Sequence, residues 1–308
     1  MSFIKYNQSD FEFIRFIGRG TYSAISLEKN KKTGELVAIK TFTLVNEDER
    51  YESDFMKEIS ILGTFHHPCI IKFHGFLSDE VDGNLQLSYV LDYMENGCLD
   101  GILMNIDAGI EFSGFGPTER SIIILGIACA LRYMHYHAVK NGFVLHRDLK
   151  SGNILLDKDF KPKLADFGFA KVISSFEPNT PRRGSYPWMA PEVMTSSNYG
   201  IKADVYSFGM LMYEVIIGKT PFGDYKSVND IVNDVVKKNM RPTLPSPRLN
   251  IYDLIENCWK TKPEERPDFN SIVPMLATET YILPGTDFDR YISFATEIKA
   301  SDPEYNFA

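Results

Sequence analysis

The stretch from residue 146 to residue 168 contains side chains that can handle a proton, a phosphate and a divalent cation. Asp148 supplies a carboxylate that can accept a hydroxyl proton, and Lys150 supplies a positive charge for a phosphate. Asn153 and Asp166 supply oxygen ligands of the kind that Mg²⁺ favours. An Asp-Phe-Gly triplet alone is uninformative, but the spacing of five residues from Asp148 to Asn153 and 13 more to Asp166 predicts a single site.

A glycine-containing turn near the N-terminus suits the binding of a phosphate. Gly18 and Gly20 lie between two runs that favour strands, and glycine lets backbone N–H groups approach a phosphate closely. Such turns are common, so this feature alone indicates little. A dinucleotide-binding interpretation requires that the glycines open a helix, whereas a predicted strand follows them here.

The predicted strand over residues 36–40 carries a lysine that can reach a phosphate. Alternation along a strand places Leu36, Ala38 and Lys40 on one face, and Val37 and Ile39 on the other. A small alanine beside the lysine leaves room for a flat base. An ordinary surface lysine at the end of a strand fits this segment equally well.

A predicted helix over residues 54–62 gives the lysine a partner. Its spacing puts Phe55, Ile59 and Leu62 on one face, with Glu58 among them. A carboxylate within an apolar stripe is costly unless a cation pairs with it. The pattern therefore predicts an ion pair between Glu58 and Lys40.

The order of the predicted elements indicates an α+β fold in two lobes. Residues 11–95 are typical of short strands, interrupted by one helix near 48–64. Residues 117–280 are typical of helices, and strands followed by helices are characteristic of this fold class. We expect the hinge between the lobes at residues 92–97.

Composition excludes several classes of protein. The 308 residues are 44% hydrophobic and 24% charged, which is sufficient for a packed core. The 33 Lys and Arg against 41 Asp and Glu give a net charge of −8 without a basic block, so we expect no nucleic-acid partner. The longest apolar run, over residues 122–131, is too short to cross a bilayer, and the four scattered cysteines form no C-x-x-C pair. We expect a cytoplasmic protein without a transmembrane segment.

Together these segments resemble the protein kinase family, from about residue 11 to residue 280. The matching segments, in chain order, are Gly18-x-Gly20, Val37-Ala38-Ile39-Lys40, Glu58, His146-Arg147-Asp148 with Asn153, Asp166-Phe167-Gly168, Ala190-Pro191-Glu192, Asp204-Val205-Tyr206-Ser207-Phe208-Gly209 and Arg266-Pro267. The resemblance implies a small, mainly β N-lobe with one regulatory helix and a larger, mainly α C-lobe. It also implies ATP and Mg²⁺ as the nucleotide and the metal.

The resemblance assigns a role to each residue of these segments. It implies that Asp148 orients the substrate hydroxyl and accepts its proton, while Lys150 stabilises the transferring phosphoryl group. Lys40, held by Glu58, is expected to contact the α- and β-phosphates of ATP. The implied Mg²⁺ ligands are Asn153 and Asp166. The implied nucleotide contacts are Ile17, Gly18, Arg19, Gly20, Ile25, Ala38, Lys40, Leu91, Asp92, Met94 and Leu155.

Further matches predict contacts that support the site. Glu192 and Arg266 resemble a buried ion pair of the family, and Asp204 resembles the residue that anchors its catalytic loop. Ser185 stands where serine/threonine kinases have a hydroxyl that bonds the catalytic aspartate and lysine.

The expected substrates are serine and threonine residues of proteins in intracellular signalling. Lys150 and Ser185 are typical of serine/threonine kinases. Three further segments resemble the tyrosine-kinase-like branch, whose members mostly phosphorylate serine and threonine: Trp188-Met189, Cys258-Trp259 and Arg266-Pro267-x-Phe269. Tyrosine or dual specificity is the alternative. A pseudokinase scaffold is a further one, although the residues whose loss usually marks it are present.

Arg147, directly before the catalytic aspartate, is expected to need an anionic partner. A phosphate on Thr180 would supply one, added by an upstream kinase or in trans by a second copy, with Ser174 and Ser175 as further candidates. Apart from such a contact between two copies, we expect a monomer.

The expected domain boundaries follow from the resemblance. They are an N-terminal extension 1–10, a kinase domain 11–280 with N-lobe 11–91, hinge 92–97 and C-lobe 98–280, and an acidic tail 281–308.

Overall fold

The computed structural model of the chain divides into two compact units. The first comprises Met1–His66 and Ile71–Glu95, and the second comprises His67–Ile70 and Asn96–Ala308. The boundary at residues 95 and 96 falls inside the segment for which a hinge is predicted. The structure describes residues 3–19, 23–42, 49–81, 84–140, 142–168, 170–173, 185–196 and 199–301.

In the residues that the structure describes, the first unit is a β-sheet with one α-helix. Its strands are β1 Lys5–Tyr6, β2 Phe11–Arg19, β3 Ser23–Asn30, β4 Leu36–Phe42, β5 Phe73–Val81 and β6 Asn84–Asp92, and its helix is α1 Glu49–Leu62. In the described residues the sheet order is β1-β5-β6-β4-β3-β2, with β1 parallel to β5 and the other neighbours antiparallel. The predicted layout of strands interrupted by one helix is confirmed.

One face of this sheet forms a small apolar core. Val37 and Ile39 are buried there together with Phe11, Leu77 and Val90. Strand β4 therefore buries the two residues that alternation assigned to the face away from Lys40.

Helix α1 packs on the opposite face of the sheet. The ring of Phe55 stacks on the ring of Tyr89 with centroids 4.6 Å apart, and Tyr89 pairs with Lys40 in the sheet register. Phe55, Ile59 and Leu62 are buried, as the helical spacing predicted. The helix is thus held on the same sheet face as Lys40.

The second unit is mainly helical, as predicted. Its helices are α2 Leu99–Asp107, α3 Pro117–Tyr136, α4 Pro191–Thr195, α5 Lys202–Ile217, α6 Val228–Lys237, α7 Asn250–Cys258, α8 Phe269–Leu276 and α9 Phe288–Ser301. In the described residues two short two-stranded antiparallel sheets accompany them, one formed by β7 Phe143–Leu145 with β10 Lys171–Ile173 and the other by the hairpin of β8 Ile154–Leu156 with β9 Pro162–Leu164. No helix in the part of the chain that the structure describes is long and apolar enough to cross a membrane.

The two predicted terminal segments contain ordered elements. Strand β1 lies within residues 1–10 and pairs with β5. Helix α9 lies within residues 281–308, where Tyr291 donates a hydrogen bond to the carbonyl of Leu276 at 2.7 Å and is buried. Both segments therefore contribute to the packing of their units.

Helix α3 is the central helix of the second unit, and Gly126 lets its neighbours approach closely. A Cβ atom at this position would lie 2.6 Å from Pro162 Cγ, 3.1 Å from Cys69 Sγ and 3.2 Å from the ring of Phe294 on α9. Contacts below 3.0 Å require that one of the partners move, and a proline ring has little freedom to do so.

The Gly126→Ala variant should therefore be less stable than the wild type. Overpacking a buried site costs about 1–3 kcal/mol, and here it outweighs the gain in helix propensity. Urea unfolding followed by circular dichroism measures this difference. Gly101→Ala on α2 is the matched control because nothing lies within 4 Å of its added Cβ. An equal gain in stability for both variants would contradict the predicted close packing.

Candidate active site

The carboxylate of Asp148 is held from both sides by donors of the second unit. Its Oδ1 accepts hydrogen bonds from the backbone N–H of Ser185 at 2.9 Å and from the Ser185 hydroxyl at 3.0 Å. Its Oδ2 accepts a hydrogen bond from Asn153 Nδ2 at 3.0 Å and lies 3.2 Å from Lys150 Nζ. The residue is 5% exposed, so these contacts fix the direction of its carboxylate.

Lys150, Ser185 and Asp148 form a closed triangle of polar contacts. Lys150 Nζ donates a hydrogen bond to Ser185 Oγ at 2.8 Å. The structure thus contains the contacts between this hydroxyl, the aspartate and the lysine that the resemblance implied. A carboxylate next to a fixed cation can receive a proton from a hydroxyl while the cation faces developing negative charge.

Asn153 and Asp166 come together through a hairpin. Strands β8 and β9 pair directly after Asn153 and directly before Ala165, whose N–H donates to the Asn153 carbonyl at 2.9 Å. Asp166 follows Ala165 and is exposed, with a φ of 59°. A left-handed backbone is uncommon for residues other than glycine and is often found at functional sites.

The donor set of these two residues fits Mg²⁺. The hydrogen bonds from Asn153 to the carbonyl and to the carboxylate of Asp148 both use Nδ2, so they leave Oδ1 for another partner. Asp166 adds a carboxylate. In the described part of the chain no three His, Cys, Asp or Glu side chains cluster as metal ligands. Two protein oxygens are sufficient for Mg²⁺, because it keeps several waters and takes oxygens from phosphates.

Asp204 on α5 anchors the segment before Asp148. Its Oδ2 accepts the backbone N–H of His146 at 3.0 Å, and its Oδ1 accepts the backbone N–H of Arg147 at 3.1 Å. Arg147 has a φ of 66°, so the anchor holds an uncommon backbone conformation directly before Asp148. The predicted anchoring role of Asp204 agrees with these contacts.

The charge of Asp204 is maintained although the residue is fully buried. Burial alone would raise the pKa of its carboxyl, but hydrogen bonds from His135 Nε2 at 2.9 Å and from the His146 backbone hold that pKa below its ordinary value. His135 lies in the last turn of α3. Its contact with Asp204 depends on two helices meeting, and no local pattern indicates it.

His146 is a packed residue rather than a base. Its Nε2 donates to the carbonyl of Ala165 at 3.0 Å, while its Nδ1 accepts the N–H of Asp148 at 3.4 Å. Its ring also meets Phe167 edge-on, with centroids 5.2 Å apart. Both ring nitrogens are therefore used within the fold.

The predicted phosphate-binding residues of the first unit lie side by side on its sheet. Gly18 on β2 pairs with Ile25 on β3, which pairs with Lys40 on β4. On the next strand Leu91 pairs with Ala38. Antiparallel pairs point to the same sheet face, so these residues share the face that α1 covers in part. Glu58 on α1 is half-buried, and its pairing with Lys40 stays a prediction.

The other predicted nucleotide contacts are distributed over both units. Ile17 and Arg19 flank Gly18 on β2, whereas Gly20 lies outside the described residues. Leu155 lies on β8 in the second unit.

The residues at the end of β6 are held within the first unit. Asp92 donates its N–H to the Lys72 carbonyl at 3.1 Å, and its Oδ1 lies 2.7 Å from Nε2 of His74. Met94 is buried. These nucleotide-binding roles remain predictions. The three predicted phosphorylation sites, Thr180, Ser174 and Ser175, also fall outside the described part of the chain.

Comparison with known proteins agrees with the resemblance to protein kinases. A family model for the protein kinase domain matches residues 11–276. A similar protein is the RGS domain-containing serine/threonine-protein kinase A of Dictyostelium discoideum, which is 33% identical over 81% of this chain and 20% of its own length.

Two plant proteins are similar over a larger share of their length. The cysteine-rich receptor-like protein kinase 6 of Oryza sativa subsp. japonica is 32% identical over 97% of this chain and 44% of its own length. The serine/threonine-protein kinase STY46 of Arabidopsis thaliana is 30% identical over 88% of this chain and 44% of its own length. The chain thus spans less than half of each of these three relatives.

Proposed function

Since the chain belongs to the protein kinase domain family, we propose that it transfers the γ-phosphate of ATP to serine and threonine hydroxyls of proteins. The observation that carries this proposal is the triangle of Asp148, Lys150 and Ser185, in which the aspartate is buried and oriented by four contacts. Relatives whose names describe serine/threonine kinases support the same substrate class.

The residues of the second unit divide the chemistry among them. Asp148 orients the acceptor hydroxyl and takes its proton, while Lys150 faces the charge on the transferring phosphoryl group. Mg²⁺, when held by Asn153 and Asp166, neutralises charge on the phosphates of ATP. The protein contributes mainly position and fixed charge, because the transition state of phosphoryl transfer is loose.

The resemblance to the tyrosine-kinase-like branch is part of this proposal. The segments that carry that resemblance are Trp188-Met189, Cys258-Trp259 and Arg266-Pro267-x-Phe269. The contact of Lys150 with Ser185 is the feature expected of serine/threonine specificity. We therefore infer a kinase of that branch which acts on serine and threonine.

The experiment that tests the proposal compares three peptides that differ only in the acceptor residue. The purified chain is incubated with radiolabelled ATP and Mg²⁺, and phosphopeptides are separated and counted. We expect label in the serine and threonine peptides and none in the tyrosine peptide, and loss of transfer when EDTA removes the metal. Label in the tyrosine peptide alone would contradict the substrate class. ATP binding without any transfer would indicate a scaffold.

A further inference from the structure

Glu214 is a buried carboxylate that the reaction described above does not use. It lies near the end of α5 and is 3% exposed. Its Oε1 accepts a hydrogen bond from the Ser151 hydroxyl at 2.7 Å, and its Oε2 accepts one from Trp188 Nε1 at 2.9 Å. The two oxygens therefore bind two different segments of the second unit.

Both partners of Glu214 are close in sequence to residues that hold Asp148. Ser151 directly follows Lys150, and Trp188 donates its backbone N–H to the carbonyl of Ser185 at 3.1 Å. Lys150 and Ser185 in turn contact the two oxygens of the Asp148 carboxylate. A displacement of Ser151 therefore reaches Asp148 through Lys150, and a displacement of Trp188 reaches it through Ser185.

We propose that Glu214 is a positioning residue for phosphoryl transfer, whose carboxylate ties Ser151 to Trp188 and so holds Lys150 and Ser185 against Asp148. This inference rests on the proposed function. It assigns Glu214 a role through its neighbours, without contact to the substrate.

The surroundings of Glu214 make this role sensitive to pH. A cavity of about 270 Å³ lies beside it, lined by Asp100 and Asp107 of α2 and by Lys150. Burial raises the pKa of Glu214 to about 7, hydrogen bonds from Ser151 and Trp188 oppose that rise, and the charge of Asp100 adds to it. The carboxyl therefore changes its charge near neutral pH.

The ionised form of Glu214 favours catalysis, whereas its protonated form favours the stability of the fold. Hydrogen bonds to a carboxylate are stronger than those to a neutral carboxyl, so activity should rise with pH through about 7. The folded state binds this proton more tightly than the unfolded state, whose glutamate has an ordinary pKa. The contribution of Glu214 to folding stability therefore falls as the pH rises from the ordinary pKa towards 7.

The Glu214→Gln variant tests the inference, because it keeps the shape and removes the charge. We expect kcat at pH 8 to fall about tenfold, the loss expected when charge-assisted hydrogen bonds become neutral. KM for ATP should stay unchanged. The variant should also lose the part of the wild-type pH profile that has its midpoint near 7, so that the two proteins become similar at pH 6. If Glu214 only stabilised the fold, activity and folding stability would change in the same direction with pH.

Two further measurements separate positioning from general damage. Ser151→Ala removes one donor and should reduce kcat by a similar factor, with no additional loss in the double variant with Glu214→Gln. Glu119→Gln is the matched control, because Glu119 is another buried carboxylate, paired with Arg290 at 2.9 Å. It should keep the wild-type kcat and pH profile.

The outcomes distinguish this inference from the proposed function. Absence of transfer by the wild type at every pH would reject the proposed function, and with it the role of Glu214. Transfer by the wild type together with an unchanged kcat and pH profile in Glu214→Gln would reject the role of Glu214 alone. Additive losses in the Ser151→Ala double variant would show that the two residues act separately, which also overturns the inference.

Discussion

The Asp148→Asn variant should transfer phosphate at least about 10³-fold more slowly than the wild type, since a general base typically contributes 10²–10⁴-fold and the proposed function has this residue orient the hydroxyl as well. Asparagine has one oxygen to accept hydrogen bonds, whereas Asp148 receives donors on both of its oxygens. The amide N–H₂ of the variant would face either Ser185 or Asn153 and repel that donor. The rate of label transfer to the serine peptide under saturating ATP measures this loss.

Two controls show whether the loss belongs to the reaction. Asp159→Asn makes the same chemical change at an exposed position of the same unit and should keep the wild-type rate. The shift in melting temperature caused by Mg²⁺ and ATP should persist in Asp148→Asn, because the proposed metal ligands and nucleotide contacts are other residues. Retention of more than about a tenth of the rate would be incompatible with a base in this position.

The sequence predicted the parts of the fold that depend on local periodicity. The alternation from Val37 to Lys40 and the helical spacing of Phe55, Ile59 and Leu62 each assign one side of an element to the core, and the structure confirms both. These patterns are visible because each element buries a single face. In a strand every second residue must then be apolar, and in a helix every third or fourth residue.

The contacts that hold Asp148 could be predicted only in part. Ser185 and Asp204 were found through resemblance, since the residues that each contacts lie 37 and 58 positions away in the chain. His135 and Glu214 were missed because they lie in apolar helices, where a single polar residue has no periodic signal. Their partners, Asp204 and Ser151, become neighbours only when the helices pack.

All five N–H groups of the Arg266 guanidinium have a hydrogen-bond partner within the second unit. Its guanidinium binds both oxygens of Glu192, at 2.6 and 2.9 Å, and its side chain is fully buried. Its remaining N–H groups donate to the backbone carbonyls of Lys202, Lys260 and Thr261 at 2.7–3.1 Å. The predicted ion pair is thus part of a network that joins α4 to α5 and to the loop before α8.

The Arg266→Ala variant should lose about 3–5 kcal/mol of unfolding free energy, the cost of leaving one partner of a buried ion pair alone. Glu192 would keep a partly buried charge without its cation, and three carbonyls would lose their donor. Arg266→Lys should recover little of this loss, because an ammonium group cannot bind both oxygens of a carboxylate and three carbonyls in these directions. Urea unfolding of the purified variants, or of the soluble fraction if expression falls, measures the difference.

Arg248→Ala provides the comparison that separates burial from charge. Arg248 also contacts two carboxylates, those of Asp253 and Glu256, but it is 55% exposed. Water screens such a pair and competes for its donors, so the variant should lose no more than about 1 kcal/mol. Because both arginines bind carboxylates, a large difference between the two variants must come from desolvation and from the carbonyls around Arg266. Equal losses would mean that the Arg266 network contributes no more than a surface pair, and that α4 is held in place by its apolar contacts.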